Sequence, residues 1–257
     1  MKSLKTTTLA LVLCAWALGC SQASFAAEEF KGSWTIATSK EPGQVRLALM
    51  HRMHGGSSHH ETDWPAKSFQ GVDLAARGKR DVEFSITRDA GRFDCEGYLN
   101  GGEGAGLFRF VPDAKFGKEM SALGFNGIDD EKQFAMAVHD VTLDFARQMK
   151  GEQLSGLETD TLIAFRIHDV TPQFVRELHA EGLTTTSSDA FLAFRIHGVT
   201  PAMVRDVRAS GLKASDDELI AMRIHGVSPE FIAEMKSRGL KNLTVDQLVS
   251  LRIHGID

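Results

Sequence analysis

The chain has 257 residues, 42% hydrophobic and 25% charged, which excludes a disordered protein and leaves room for one large domain or two modest ones. Its net charge of −5 argues against generic nucleic-acid binding, which needs a basic surface.

A leader comes first. "MKSLK" supplies two lysines, and "TTTLALVLCAWALG" supplies an apolar run too short to span a membrane. The small residues of "CSQASFAA" complete a signal peptide over residues 1–26, with cleavage expected after Ala26. "ALGC" leaves a second reading open, a lipoprotein box in which Cys20 carries lipid and anchors the chain. Either route makes an exported protein, periplasmic or extracellular, with no transmembrane helix in the mature chain. Losing Lys2 and Lys5 lowers the 29 basic residues by two against 34 acidic ones, so the mature net charge is −7. Cys14 and Cys20 leave with the leader. Cys95 then stands alone and an internal disulfide is excluded.

Residues 27–117 read as an antiparallel β domain, meander or sandwich-like. "SWTIATS" and "VRLALMHRM" are two strands, and "DVEFSITRDAGRFDCEGYLNGGEGAGLFRFVPD" has a clear period of two. Val82, Phe84 and Ile86 point one way, against Glu83, Ser85 and Thr87; Phe93 and Cys95 continue the apolar face, as do Phe108 and Phe110. Between the upstream strands lies "HRMHGGSSHHETDW". Its His51, His54, His59 and His60 form a metal-binding candidate for zinc or copper, although the spacing matches no closed zinc motif and "GGSS" reads as a solvated hairpin loop.

From Lys118 to Asp257 the pattern is helical. His139, His168, His197, His225 and His254 are 29, 29, 28 and 29 residues apart, a period that marks stacked two-helix units. The repeated phrase "RIHGVTP" specifies the corner between them. Gly198 and Gly226 close one helix in the left-handed conformation. Thr200 caps the next, and Pro172, Pro201 and Pro229 take its first position. Val199 packs back on Phe194 and forward on Val204. "SDDE" at Ser215 and "TVDQ" at Thr244 are capping boxes. Asp140 and Asp169 replace the corner glycine in the first two units, which predicts weaker corners there.

The histidines sit in the last turn, where ring N–H groups suit the orphan carbonyls. Units about a helix diameter apart, ~10 Å, keep them from sharing one ion. Arg166, Arg195, Arg223 and Arg252 form a second row, with Ala137 in the first unit. They suit an anionic protein partner, or else intramolecular pairing with nearby carboxylates. The last unit stops before its second helix, which predicts Leu248, Leu251 and Ile253 partly uncovered unless they pack backward or against a partner. No H-E-x-x-H, G-x-S-x-G, P-loop or Cys–His nucleophile pair is present.

"LIAFRIHDVTPQFVRELHAEGL" and "LIAMRIHGVSPEFIAEMKSRGL" resemble helical repeats of bacterial exported proteins. Similar repeats lie at the extracytoplasmic end of membrane metallopeptidases of the beta-lactam-sensor type, and "GRFDCEGYLNGGEGAGLFRFVPD" looks like the β region that precedes them. The resemblance implies the architecture and a place beside envelope sensors or in signalling. It implies no protease activity, because the zinc motif and membrane helices of those peptidases are missing.

The expected fold is therefore α+β, an antiparallel β domain followed by an all-α stack of about 29-residue helix-turn-helix repeats. The expected function is a non-enzymatic exported binding or scaffold protein that contacts another envelope protein through its repeat surface, without a cofactor. The alternative is a periplasmic metal-binding protein using the His51–His60 stretch. A hydrolase would require a cleft of convergent acid–base groups with shifted pKa values.

Overall fold

The period-two half builds one antiparallel sheet. The computed structural model describes residues 30–53 and 56–255; the leader, Cys20 and His54 fall outside the described residues. Seven strands follow: β1 (Phe30–Thr38), β2 (Gln44–Met53), β3 (Gly56–Pro65), β4 (Phe69–Gln70), β5 (Lys79–Arg88), β6 (Gly91–Asn100) and β7 (Glu103–Pro112). Their order is β3-β2-β1-β7-β6-β5-β4, so two meanders join where β1 pairs with β7. The inner face carries Trp34, Leu49, Phe84, Phe93, Phe108 and Phe110, all buried. Gly97 and Gly106 lie opposite each other to admit Trp34: a Cβ at Gly97 would stand 2.8 Å from the indole. The Trp34 ring N–H donates to the carbonyls of Glu96 (3.2 Å) and Leu107 (3.0 Å).

Ten short helices follow, beginning at Ala114, slightly before the expected boundary. They are α1 (Ala114–Ala122), α2 (Asp130–Val138), α3 (Leu143–Gly151), α4 (Thr159–Ile167), α5 (Pro172–Ala180), α6 (Ser188–His197), α7 (Pro201–Ala209), α8 (Asp216–Ile224), α9 (Pro229–Ser237) and α10 (Val245–Ile253). Helices this short are marginal alone, so packing between units must supply their stability. They stack in two layers, α2-α4-α6-α8-α10 and α1-α3-α5-α7-α9.

The corner chemistry is the one the repeat phrase encodes. Gly198 has φ 74°, the Val199 N–H donates to Phe194 O at 2.8 Å, and Thr200 Oγ1 accepts from Met203 N at 3.2 Å. Val170 and Val227 repeat the first bond onto Phe165 (2.8 Å) and Met222 (2.9 Å). Both capping boxes form, at Ser215 with Glu218 and at Thr244 with Gln247. Asp140 and Asp169 do adopt left-handed backbone, at φ 55° and 56°. At Gly226 (φ 68°) nothing lies within 4 Å of an added Cβ, so only backbone strain opposes a side chain there. Gly226→Ala is expected to cost about 1–2 kcal/mol, read as a lower urea midpoint with an unchanged m-value. An unchanged midpoint would remove the corner argument.

The two halves share one core. Helix α2, rather than a second sheet, covers the inner face of the sheet. Phe134 enters it with ring centroids 4.6 Å from Phe30, 5.5 Å from Phe110 and 5.7 Å from Phe93. Beside it the Gln133 amide donates to Ala90 O and Asp113 O, both at 2.7 Å. At the other end α10 packs backward on α8, which buries Leu248 and half-buries Leu251, while Ile253 stays exposed.

Candidate contact surface of the repeats

The arginine row belongs to the joints between units. Arg166 Nε donates to His139 O at 3.0 Å, and its Nη2 meets Asp140 at 3.2 Å. Arg195 reaches Asp169 at 3.3 Å, and Arg252 Nε donates to Gly226 O at 3.0 Å. The same guanidinium groups lie over Phe145, Phe174 and Phe231 of the preceding unit, 5.3, 3.9 and 4.3 Å from the ring centroids. Each of these three arginines straps one unit to the last. Of the two roles open to the row, the geometry is that of internal pairing. Arg223 differs. Its predecessor's corner is Gly198 where the earlier corners carry Asp, and no carboxylate pairs with it among the described residues.

The histidines mark the corners but do not cap them in the expected way. His254 Nδ1 donates to Ser250 O at 2.7 Å. His168, His197 and His225 are exposed, and among the described residues they donate to no carbonyl. At the first and fourth corners the arginine of the next unit takes the carbonyl, because its longer side chain reaches across the joint.

Beside each exposed histidine stands an isoleucine that the sequence pattern left unread. Ile167, Ile196, Ile224 and Ile253 are 52%, 53%, 57% and 59% exposed. The near-equal values show that Ile253 is exposed because of its face, not because of its place in the last unit. Leu162, Phe165, Phe191, Phe194, Leu219 and Met222 fill the core stripe, and each isoleucine lies off it. One turn earlier on the same face are half-buried Ile163, Leu192, Ile220 and Val249. In the first unit the equivalent pair is Phe134 and Val138, and the sheet buries both. The outer face of the first-helix layer is thus an apolar ladder. Its first rung is covered by the chain's own sheet, and four are open.

His51, His59 and His60 lie in the strands of the β2–β3 hairpin rather than in a loop, and alternation divides them. His51 and His60 face inward, while His59 points outward near Glu61 at 3.7 Å. Among the described residues no three His, Cys, Asp or Glu side chains gather as metal ligands. His51 is 6% exposed and packs between Phe30 and Phe134 at 4.6 and 4.4 Å, with neither ring nitrogen hydrogen-bonded. His60 stacks toward it at 6.3 Å and meets His139 of the first corner at 5.5 Å. Burial is the main cause that holds all three below the usual histidine range; nearby His60 and Arg166 add to it for His139, which is pushed down to about 4.

A cleft of about 710 Å³ lies where the sheet meets the first two corners, lined by Glu61, Asp63, Arg88, His139, Asp140 and Arg166, among others. Of its four carboxylates, Asp63 and Asp140 are held in ion pairs, with Arg46 at 3.2 Å and with Arg88 at 2.8 Å, Glu61 lies 3.8 Å from Arg46, and Glu41 is the fourth. No serine or cysteine lines it as a nucleophile. Cys95 is buried in the sheet, and burial pushes its thiol up to about 12, so it is a packed side chain. No helix among the described residues is long and apolar enough to cross a membrane. Comparison with known proteins finds no matching family model, curated protein or solved structure.

Proposed function

We propose that the chain is an exported, non-enzymatic binding or scaffold protein whose isoleucine–histidine ladder holds another protein of the cell envelope. One observation carries this reading: four copies of the same isoleucine stand half in water on one face, while the fifth copy of that position, Val138, is buried beneath a sheet. Scattered exposed apolar side chains are ordinary, but an aligned row is the mark of a contact surface. Stacked repeats present extended surfaces of this kind. The leader and the likeness of the "RIHGVTP" units to exported repeats support the envelope as its place, beside a sensor.

The test is capture from the native envelope by the mature chain and by an Ile196→Glu/Ile224→Glu variant. The variant is expected to lose capture at least tenfold while keeping its circular dichroism. Equal capture by the two would remove the ladder from the reading. The mass of the mature chain decides the export route, since Ala27 at the N-terminus marks cleavage and lipid on Cys20 marks anchoring.

A further inference from the structure

We infer that the open ladder is filled by the outer sheet face of a second copy of this chain, docked head to tail. The inference rests on the ladder being the contact surface of the proposed function, and it takes the envelope protein held there to be another copy of this chain.

The chain already packs a sheet on this face. Phe134 and Val138, the first rung, hold the inner side of the chain's own sheet. The face continues from Val138 to Ile167, which line one cleft together with the sheet residues Thr62 to Pro65. The next rungs extend an existing sheet-binding interface.

The outer side of the sheet offers a matching patch. Leu107 is 59% and Tyr98 43% exposed. The strand register sets them in two cross-strand rows, Glu83–Glu96–Leu107 and Asp81–Tyr98–Ala105. Glu83 and Glu96 are directly opposite each other, a like-charge pair that destabilises a sheet unless a cation arrives. Among the described residues no cation forms an ion pair with either of them or with Asp81. Lys79 Nζ lies over the Tyr98 ring at 5.0 Å, and Lys31 and Arg109 border the first row, so the patch is apolar with a central group of carboxylates that no ion pair satisfies.

The ladder is apolar and basic at the complementary place. Next to Ile224 stands Arg223, whose guanidinium reaches over the Gly198 corner of the preceding unit, where Arg166 and Arg195 meet Asp. Exposed His197 and His225 flank it. Docking sets Leu107 and Tyr98 on Ile196 and Ile224, and Glu83 and Glu96 against Arg223. Each side then satisfies a charge left unpaired within the chain, which favours this register over others. One sheet would lie between its own α2 and the ladder of the next copy. Such a contact is heterologous, so it leaves a free patch at each end and propagates.

The measurement is sedimentation of the full mature chain from micromolar to several hundred micromolar. The average mass is expected to rise with concentration beyond that of a dimer. Ile196→Glu/Ile224→Glu and Tyr98→Glu/Leu107→Glu should each remain monomeric with unchanged helical content. Their equimolar mixture should form a one-to-one dimer that grows no further, because each supplies one intact face. Arg223→Glu should break assembly, and adding Glu83→Arg/Glu96→Arg should restore it. A wild-type chain that stays monomeric overturns the inference, as does a closed dimer that ignores the sheet variants. If the wild type is monomeric yet the isoleucine variant still loses envelope capture, only the occupant falls and the proposed function stands. If the isoleucine variant assembles as the wild type does and captures equally, the ladder itself falls.

Discussion

Phe134→Ala is expected to lower stability by about 3–5 kcal/mol, the usual cost of emptying a buried phenylalanine site. The ring is 1% exposed and is the main side chain through which the helical stack enters the sheet core. It touches rings from several strands, at 4.6 Å for Phe30, 5.9 Å for Phe108 and 5.5 Å for Phe110, and also His51 at 4.4 Å. Those rings cannot collapse onto an alanine, because their own backbones are fixed by the strand ladders. The loss should therefore lie at the upper end of the range. The helical units beyond α4 keep their own corners and caps. Hydrogen exchange should accordingly show early opening of the sheet and α2, with α6 to α9 protected for longer. A variant that melts in one step within 1 kcal/mol of wild type would show that the sheet and stack are joined elsewhere.

Acid is expected to weaken the same joint. His51, His60 and His139 stand in a row at 6.3 and 5.5 Å between the β2–β3 hairpin and the first corner. Burial keeps each neutral in the fold below the 6.5 of a free histidine, and His139 titrates only at about 4. Between 6.5 and 4 the unfolded chain binds more protons than the folded one, so stability is full above 6.5 and falls as the pH drops toward 4. Glu61, Asp63 and Asp140 face this region as carboxylates, Arg88 and Arg166 as cations, and Asp63 and Asp140 are already in ion pairs with arginines. Solvent reaches part of the His139 ring. The expected loss from that residue is therefore discounted to about 2 kcal/mol, or roughly 4–8 °C in melting temperature for a chain of this size. Melting profiles from pH 7.5 to 4.5 check this, with His139→Gln as the comparison. The variant should have the shallower profile, and parallel profiles would sink the assignment. His51→Phe removes two buried nitrogens without partners, so it should raise stability by about 1 kcal/mol and flatten the profile as well.

Several site features were legible in the residues but needed the right frame. Treating "SSHHETDW" as strand rather than loop places His59 opposite His60 at once, since neighbouring residues of a strand face opposite sides. The isoleucine of "RIH" recurs in four units at a position one step off the core stripe of Leu162 and Phe165, and that offset marks an outer apolar face. The arginine straps were visible as a row, but not their targets. A strap joins residues 26 or 27 apart, such as Arg166 and His139, and a period alone does not say which unit a side chain reaches.

The amino-acid order by itself determined the repeat, its period, the corner glycines, the proline and threonine starts and both capping boxes. It also determined which residues of the β5–β7 strands face inward. All of these rest on hydrogen bonds and packing within about five residues, or on strict alternation, so the local pattern contains them whole. Only the tertiary structure decided that β1 closes on β7, that Phe134 leaves the stack to fill the sheet, and that three histidines meet there. It alone decided that one rung of the ladder is covered while four stay open. These contacts join residues such as Phe30, Phe93 and Phe134, far apart in the chain. They depend on which apolar surfaces can be buried together at the cost of closing long loops, and no short stretch of sequence contains that balance.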